Sequence, residues 1–125
     1  MLKVIIVGFG GFFGSVFRYL IYLLSNNLIG YSFPFGTILV NIIGCFLIGL
    51  TYQIFSDMIS LSDNLKLFMT IGFLGGFTTF SAFSLDVFLL YQSNSKLVAI
   101  IYIFITLVLS LLAMLGGMWI FKAYN

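Results

Sequence analysis

The sequence predicts an all-α membrane protein, with four transmembrane helices in a single transmembrane domain that covers residues 1–125. Of the 125 residues, 62% are hydrophobic and only 6% are charged, whereas about a quarter of the residues in a soluble domain are charged. The mean hydropathy is +1.25, so too few polar side chains remain to cover a water-facing surface. Because a helix needs roughly 20 apolar residues to cross the hydrocarbon layer, the length allows about four crossings.

Apolar runs separated by polar clusters define the four predicted helices. They cover residues 2–24, 35–55, 66–91 and 97–121. The first run ends at Ser25-Asn26-Asn27, and the second follows Pro34, the single proline, which suits the first turn of a helix. The short connections predict that neighbouring helices pack antiparallel.

The third run has an unusual centre for a membrane helix, because glycine and threonine stand where leucine and valine would suffice. Paired glycines serve either as close-packing sites or as a break. Backbone that unwinds at membrane depth persists only where protein buries it or where it lines a polar cavity. Because the hydroxyl residues Thr78 and Thr79 come soon after Gly75-Gly76, we expect the helix to be broken over Gly75–Thr79.

Small residues elsewhere predict close helix packing. Gly10 and Gly14 lie four apart in the first helix, a spacing that lets two membrane helices approach closely. A small and partly polar stripe lies on one face of the fourth helix: Thr106, Ser110, Ala113 and Gly117. We expect this stripe to face protein or a pore and not lipid.

The distribution of positive charge leaves the orientation in the membrane open. Four crossings place two groups of charges on opposite sides: Lys3, Lys66 and Lys122 against Lys96 and Arg18. Orientation is normally set by a clear Lys/Arg excess in cytoplasmic segments. The chain therefore either takes one orientation on subtler cues or inserts both ways and pairs as an antiparallel homodimer. Four short helices hardly enclose a polar path by themselves. At a two-fold interface, two chains would line such a path together.

Composition argues against several classes of function. A net charge of +2 forms no basic patch, so nucleic acid is not an expected partner. The chain has no histidine and a single cysteine, Cys45, so a transition-metal site lacks its usual ligands. An enzyme would lack both a histidine base and a second membrane carboxylate.

Polar side chains inside a membrane are costly, so each is a candidate functional group. Arg18, near the end of the first helix, either reaches toward the headgroups or attracts an anion. Asn41, early in the second helix, either hydrogen-bonds between helices or donates its amide N–H to an anion. Asp86 lies toward the end of the third helix, at a vestibule or in the membrane interior.

The densest cluster of candidates lies between Gly75 and Ser84. Phe80 and Phe83 fall on one helical face, and Ser81 and Ser84 form a neighbouring polar edge. Aromatic stripes usually contact lipid or core, but the rim of a phenyl ring is its positive side. Rings presented edge-on therefore favour a dehydrated anion, whereas free carbonyls at the break would suit a small cation.

Three motifs make the chain resemble the Fluc (CrcB) family of fluoride channels over essentially its whole length. They are Gly10-Gly11-Phe12-Phe13-Gly14 with Arg18-Tyr19; Pro34-Phe35-Gly36-Thr37 with Val40-Asn41 and Gly44; and Gly72-Phe73 with Gly75-Gly76-Phe77-Thr78-Thr79-Phe80-Ser81-Ala82-Phe83-Ser84. Their order and spacing argue against a chance match. The chain departs from the family pattern at Asp86, where many relatives carry Glu, at Ala82, where Thr is common, and at Ala113-Met114, where some carry a hydroxyl.

The resemblance implies passive, selective export of fluoride through a dual-topology antiparallel homodimer in the bacterial inner membrane, with two pores lined by both subunits. The residues that match the family's pore are Phe80, Phe83, Asn41, Ser81, Ser84 and Ser110, with Arg18 near the entrance. The backbone carbonyls of Gly75 and Thr78 match a structural sodium (Na⁺) site on the two-fold axis. The expected partners are thus the fluoride ion, the lipid bilayer and a second copy of the chain.

Two other functions compete with this one. A small multidrug-resistance-type proton-coupled transporter also uses four helices, but its coupling needs a carboxylate deep in the first helix, and this first helix has none. A non-transporting membrane assembly subunit would use the polar cluster for packing between helices. Fluoride efflux without a pH gradient distinguishes the three.

Overall fold

The computed structural model describes residues 1–57, 62–93 and 96–124, which form helices and no strand. Four spans are long and apolar enough to cross a membrane: Leu2–Ile29, Phe35–Asp57, Asp63–Gln92 and Lys96–Ala123. The predicted all-α class with four membrane-spanning segments is confirmed. Parts of two predicted connections, residues 58–61 and 94–95, lie outside the described residues.

The first span is helix α1 (Leu2–Ile29), which continues beyond the predicted end at residue 24. Ser25 keeps helical backbone and is only 3% exposed, so the polar cluster there does not end the helix. Gly30 ends it with a φ of 100°, a conformation that glycine adopts without steric cost. The Gly30 N–H donates to the carbonyl of Asn26 at 3.0 Å.

The second and last spans are α2 (Phe35–Asp57) and α6 (Lys96–Tyr124), and the most extensive packing joins them. A Cβ added to Gly117 would meet the backbone of Phe46 and lie 2.9 Å from the nitrogen of Leu50. Thr106 and Ser110 on α6 are 3% and 9% exposed. The small stripe of the last helix therefore faces protein, as predicted.

The third span changes its helical geometry along its length. It consists of α3 (Asp63–Leu67), a π-helical segment (Phe68–Leu74), α4 (Gly75–Phe77) and α5 (Phe80–Gln92). Between α4 and α5, Thr78 (φ −73°, ψ 157°) and Thr79 (φ −150°, ψ 118°) have extended backbone. The Thr79 hydroxyl accepts a hydrogen bond from the N–H of Ala82 at 3.1 Å and so caps α5. Gly75, by contrast, has helical backbone.

Glycines hold α1 against the first half of the third span. A Cβ on Gly10 would lie 2.6 Å from the carbonyl oxygen of Phe68 and 2.9 Å from the Cα of Gly72. A Cβ on Gly76 would lie 2.7 Å from the carbonyl oxygen of Gly11. These distances leave no room for a side chain, so the backbones touch directly, as small residues allow in membrane helices.

The outer surface is apolar and the buried core is small. The core joins α2, α5 and α6 through Ile38, Phe83 and Tyr102. Large apolar side chains such as Phe9, Leu112 and Trp119 are 61%, 57% and 70% exposed. Exposed apolar side chains of this size suit contact with lipid or with another protein and not with water.

Candidate functional site

A groove of about 220 Å³ lies where α4 gives way to α5. It is lined by residues of α2, the extended threonines, α5 and α6: Asn41, Cys45, Thr78, Thr79, Phe80, Phe83, Thr106, Leu107 and Ser110. We call it the Phe80 groove. It brings together four of the residues matched to the family's pore, Asn41, Phe80, Phe83 and Ser110, with Thr78 of the expected sodium site.

Asn41 holds the extended backbone at Thr79 on both sides. Its Nδ2 donates to the Thr79 carbonyl at 3.1 Å, and its Oδ1 accepts from the Thr79 N–H at 3.0 Å. The Asn41 amide thus makes the two hydrogen bonds to the Thr79 backbone that neighbouring turns would make in a continuous helix. Because an NH₂ group has two hydrogens, one N–H remains for a ligand in the groove. Both roles considered from the sequence are therefore compatible with one geometry.

The two phenylalanines form a pair, as their spacing predicts. Their ring centroids are 5.5 Å apart with an angle of 41° between the rings. Phe83 is buried and stacks on Tyr102 at 5.5 Å, whereas Phe80 is 75% exposed. Phe83 is consequently fixed by the core, and Phe80 projects from the surface of the chain at the rim of the groove.

Two buried hydroxyls lie on the α6 side of the groove. Thr106 Oγ1 and Ser110 Oγ are buried and make no hydrogen bond with any described residue. An unsatisfied buried polar group costs about 1–3 kcal/mol, so this wall favours a polar occupant of the groove. The sequence indicates Thr106 only as part of the small stripe of the fourth helix.

Two predicted serines lie outside the groove. Ser81 and Ser84 are exposed on α5. The Ser84 hydroxyl donates to the carbonyl of Phe80 at 2.9 Å, and the hydroxyls of Ser81 and Thr79 are 3.3 Å apart. A single chain therefore does not bring these two serines together with Asn41 and Ser110.

Arg18 points toward the extended segment. Its Nη1 donates to the carbonyl of Thr78 at 3.3 Å, and the residue is half-buried. The side chain is thus directed into the protein and not along the lipid surface toward the headgroups. Its positive charge lies beside one of the two carbonyls matched to the sodium site.

A hydrogen-bonded cluster that the sequence does not predict surrounds Asp86. Asp86 Oδ2 accepts from the Thr37 hydroxyl at 2.6 Å and from the Tyr102 hydroxyl at 3.0 Å. The carboxylate also lines a cavity of about 290 Å³ among the helix ends, with Asn26 and Tyr31. Tyr102 lies four residues before Thr106 in the hydroxyl stripe of α6, and this spacing is the signal that would have included it.

The match to known proteins extends over nearly the whole chain. The family described as "CrcB-like protein, Camphor Resistance (CrcB)" matches residues 5–118. The chain belongs to the CrcB-like family. Every residue that lines the Phe80 groove lies inside the region of the CrcB-like match.

Curated relatives of this CrcB-like chain carry the name "Fluoride-specific ion channel FluC". The one from Rhizobium johnstonii is 42% identical over 123 residues, which is 98% of each chain. The one from Agrobacterium fabrum is 43% identical over 118 residues, 94% of each chain. The one from Leptospira interrogans is 39% identical over 98% of this chain and 96% of the relative. The resemblance recognised from the three motifs is confirmed.

Proposed function

We propose that this chain is a fluoride-selective ion channel that passes fluoride through the membrane down its gradient. The observation that carries the proposal is the Phe80 groove, which gathers the ring pair, the Asn41 amide and the α6 hydroxyls from three different spans. The name of the relatives, "Fluoride-specific ion channel FluC", supplies the ion. A channel of this kind lets ions pass and is not an enzyme.

The groove suits a small, strongly hydrated anion. Fluoride that enters must give up water, and the unpartnered hydroxyls of Thr106 and Ser110 with the free N–H of Asn41 replace it. The rims of Phe80 and Phe83 add weak positive potential without a formal charge. Weak binding at several places lets an ion leave as readily as it enters, which conduction requires.

We infer that two chains in opposite orientations form the working unit, with two pores lined by both subunits. The exposed face of α5 supports this step, because it presents Phe80, Ser81 and Ser84 outward. Hydroxyls that face hydrocarbon are unfavourable. A second chain packed on this face would cover the serines and close the open side of the groove.

We infer a structural sodium ion held by the carbonyls of Gly75 and Thr78. In a continuous helix the Thr79 N–H would donate to the Gly75 carbonyl, but here it donates to Asn41. The Gly75 carbonyl thereby loses that partner, and Gly75 is exposed, so a second copy could share the ion. The Thr78 carbonyl keeps one lone pair beside the one that accepts from Arg18, and the guanidinium charge opposes a cation there.

The role that follows is removal of fluoride from the cytoplasm across a bacterial inner membrane. Fluoride enters cells as neutral HF and ionises inside, so a passive anion path is enough to export it. A proton-coupled multidrug transporter is disfavoured, because α1 carries no carboxylate. An assembly subunit without transport would leave the unpartnered groove hydroxyls unexplained.

The deciding experiment is fluoride efflux from liposomes that contain the purified protein. We expect rapid efflux at equal pH on both sides, and chloride efflux at the level of protein-free liposomes. Efflux that requires a pH gradient would favour a coupled transporter. A folded protein with no fluoride efflux would favour the assembly subunit and would refute the proposal.

A further inference from the structure

Cys45 lies on the wall of the Phe80 groove. It follows Asn41 by one turn of α2 and is half-buried. It is the single cysteine of the chain. A reagent that binds only thiols therefore has one target in each subunit.

A second observation marks the groove beside this thiol as a place for a ligand. The side chains of Thr106 and Ser110, 3% and 9% exposed, line the same groove. Their hydroxyl oxygens have no hydrogen-bond partner within the described part of the chain. Buried polar groups normally have a hydrogen-bond partner, so these two hydroxyls favour a polar species in the groove.

We propose that Cys45 is a binding site for soft, thiophilic metal ions, and that a metal bound there blocks the channel. The block rests on the fluoride channel function proposed above. Thiolate is the protein ligand that soft metals prefer, and the hydroxyls and carbonyls of the groove are hard ligands. Cys45 therefore decides where such a metal binds.

Mercuric chloride is the suitable probe, because in dilute chloride solution it is a neutral molecule and does not need a cation path. The Sγ–H bond breaks and an Sγ–Hg bond forms, while one Hg–Cl bond breaks and the products are a proton and a chloride ion. No atom is oxidised or reduced. The Sγ–Hg–Cl group occupies part of a groove of about 220 Å³, which Asn41, Thr106 and Ser110 also line.

The test uses the full chain in liposomes, with fluoride efflux measured before and after mercuric chloride. We expect the efflux of the wild type to fall by about tenfold or more and to recover with excess dithiothreitol. Efflux of the Cys45→Ser variant, expressed relative to its own value before mercury, should not change. The intact mass should show one mercury adduct on each wild-type chain and none on Cys45→Ser.

A control thiol separates the position of Cys45 from the chemistry of thiols in general. Leu111 neighbours Ser110 on α6 but is 60% exposed and does not line the groove. A variant with both Cys45→Ser and Leu111→Cys should form the mercury adduct, and its efflux relative to its own value before mercury should not change. Loss of efflux in that variant would overturn the proposal, because position in the groove would not matter.

Three further outcomes would overturn the proposal. A wild type without an adduct means that the thiol is not reached, and an adduct without loss of efflux means that it lies off the ion path. Equal inhibition of Cys45→Ser means that mercury acts elsewhere. Absence of fluoride efflux before mercury is added would instead refute the channel function itself, and the adduct measurement distinguishes that result from a failure of the thiol site.

Discussion

Phe80 has the most exposed side chain of the Phe80 groove, at 75%. Because so little of the ring is packed, Phe80→Ile should leave the fold intact while it removes the aromatic rim. We expect fluoride efflux to fall by about tenfold or more, with unchanged gel filtration. Phe88→Ile on the same helix, at a ring that is 55% exposed and outside the groove, is the control and should conduct normally. Normal efflux of Phe80→Ile would argue against the ring-edge mechanism.

Asn41 combines a structural and a conducting role. Asn41→Asp keeps an acceptor for the Thr79 N–H but turns a carboxylate oxygen toward the Thr79 carbonyl, which accepted a hydrogen bond at 3.1 Å. We expect a loss of about 1–3 kcal/mol of stability and a strong fall in fluoride efflux, since the new negative charge repels anions. Melting temperature and efflux measure the two effects.

The control for this prediction is Asn27→Asp, which adds the same charge at an exposed position near the end of α1. Asn27→Asp should change neither the melting temperature nor the fluoride efflux appreciably. If Asn41→Asp conducts normally, the amide does not face the ion, and its two hydrogen bonds to Thr79 are its whole function.

The elements of the fold follow from the sequence to different degrees. Length and apolarity define four spans, because the thickness of the bilayer sets the length of a spanning helix and its hydrocarbon core requires apolar side chains. The glycine pair predicted a break at Gly75–Thr79, but Gly75 and Gly76 lie in helical backbone and the extended residues are Thr78 and Thr79. Gly76 is small because Gly11 of α1 touches it. A contact between distant segments of this kind does not show in the local pattern.

The candidate site also has a part that the sequence predicts and a part that depends on how the spans pack. The ring pair and the α6 hydroxyls lie at helical spacings, so the sequence predicted them. The hydrogen bonds from Arg18 to the Thr78 carbonyl and from the Thr37 hydroxyl to Asp86 join residues 60 and 49 positions apart. Such pairings depend on how the spans pack, which periodicity does not specify.

The contact between α1 and the third span can be tested with two glycines on the same helix. A Cβ on Gly10 would lie 2.6–2.9 Å from backbone atoms of Phe68, Gly72 and Phe73, whereas a Cβ on Gly8 would meet no described residue within 4 Å. Gly10→Ala should therefore push the two spans apart and lower both the melting temperature and the yield of folded protein. Gly8→Ala should match or exceed the wild type, because Ala favours helix over Gly. Equal behaviour of the two variants would contradict the packing described.

On the scale of the whole molecule, one chain supplies only part of the proposed channel. The Phe80 groove is open on the side where α5 exposes Phe80, Ser81 and Ser84. The Gly75 residue with the released carbonyl is exposed as well. An antiparallel partner that covers both would close the groove and complete the sodium site in one step.

Sodium should stabilise this assembly, because a ligand that binds only the folded state raises its stability by mass action. We expect a higher melting temperature for the purified protein in sodium chloride than in the chloride of a large organic cation at equal ionic strength.

Arg18→Gln removes the positive charge next to the Thr78 carbonyl, so the repulsion between that charge and a bound sodium ion disappears. The sodium concentration for half of the stabilisation should then decrease. Lys3→Gln, which removes the same charge at an exposed position at the start of α1, should not shift it. Melting that is indifferent to every small cation would count against the carbonyl site, and a weaker sodium response in Arg18→Gln would mean that the guanidinium orients the carbonyl instead of opposing the ion.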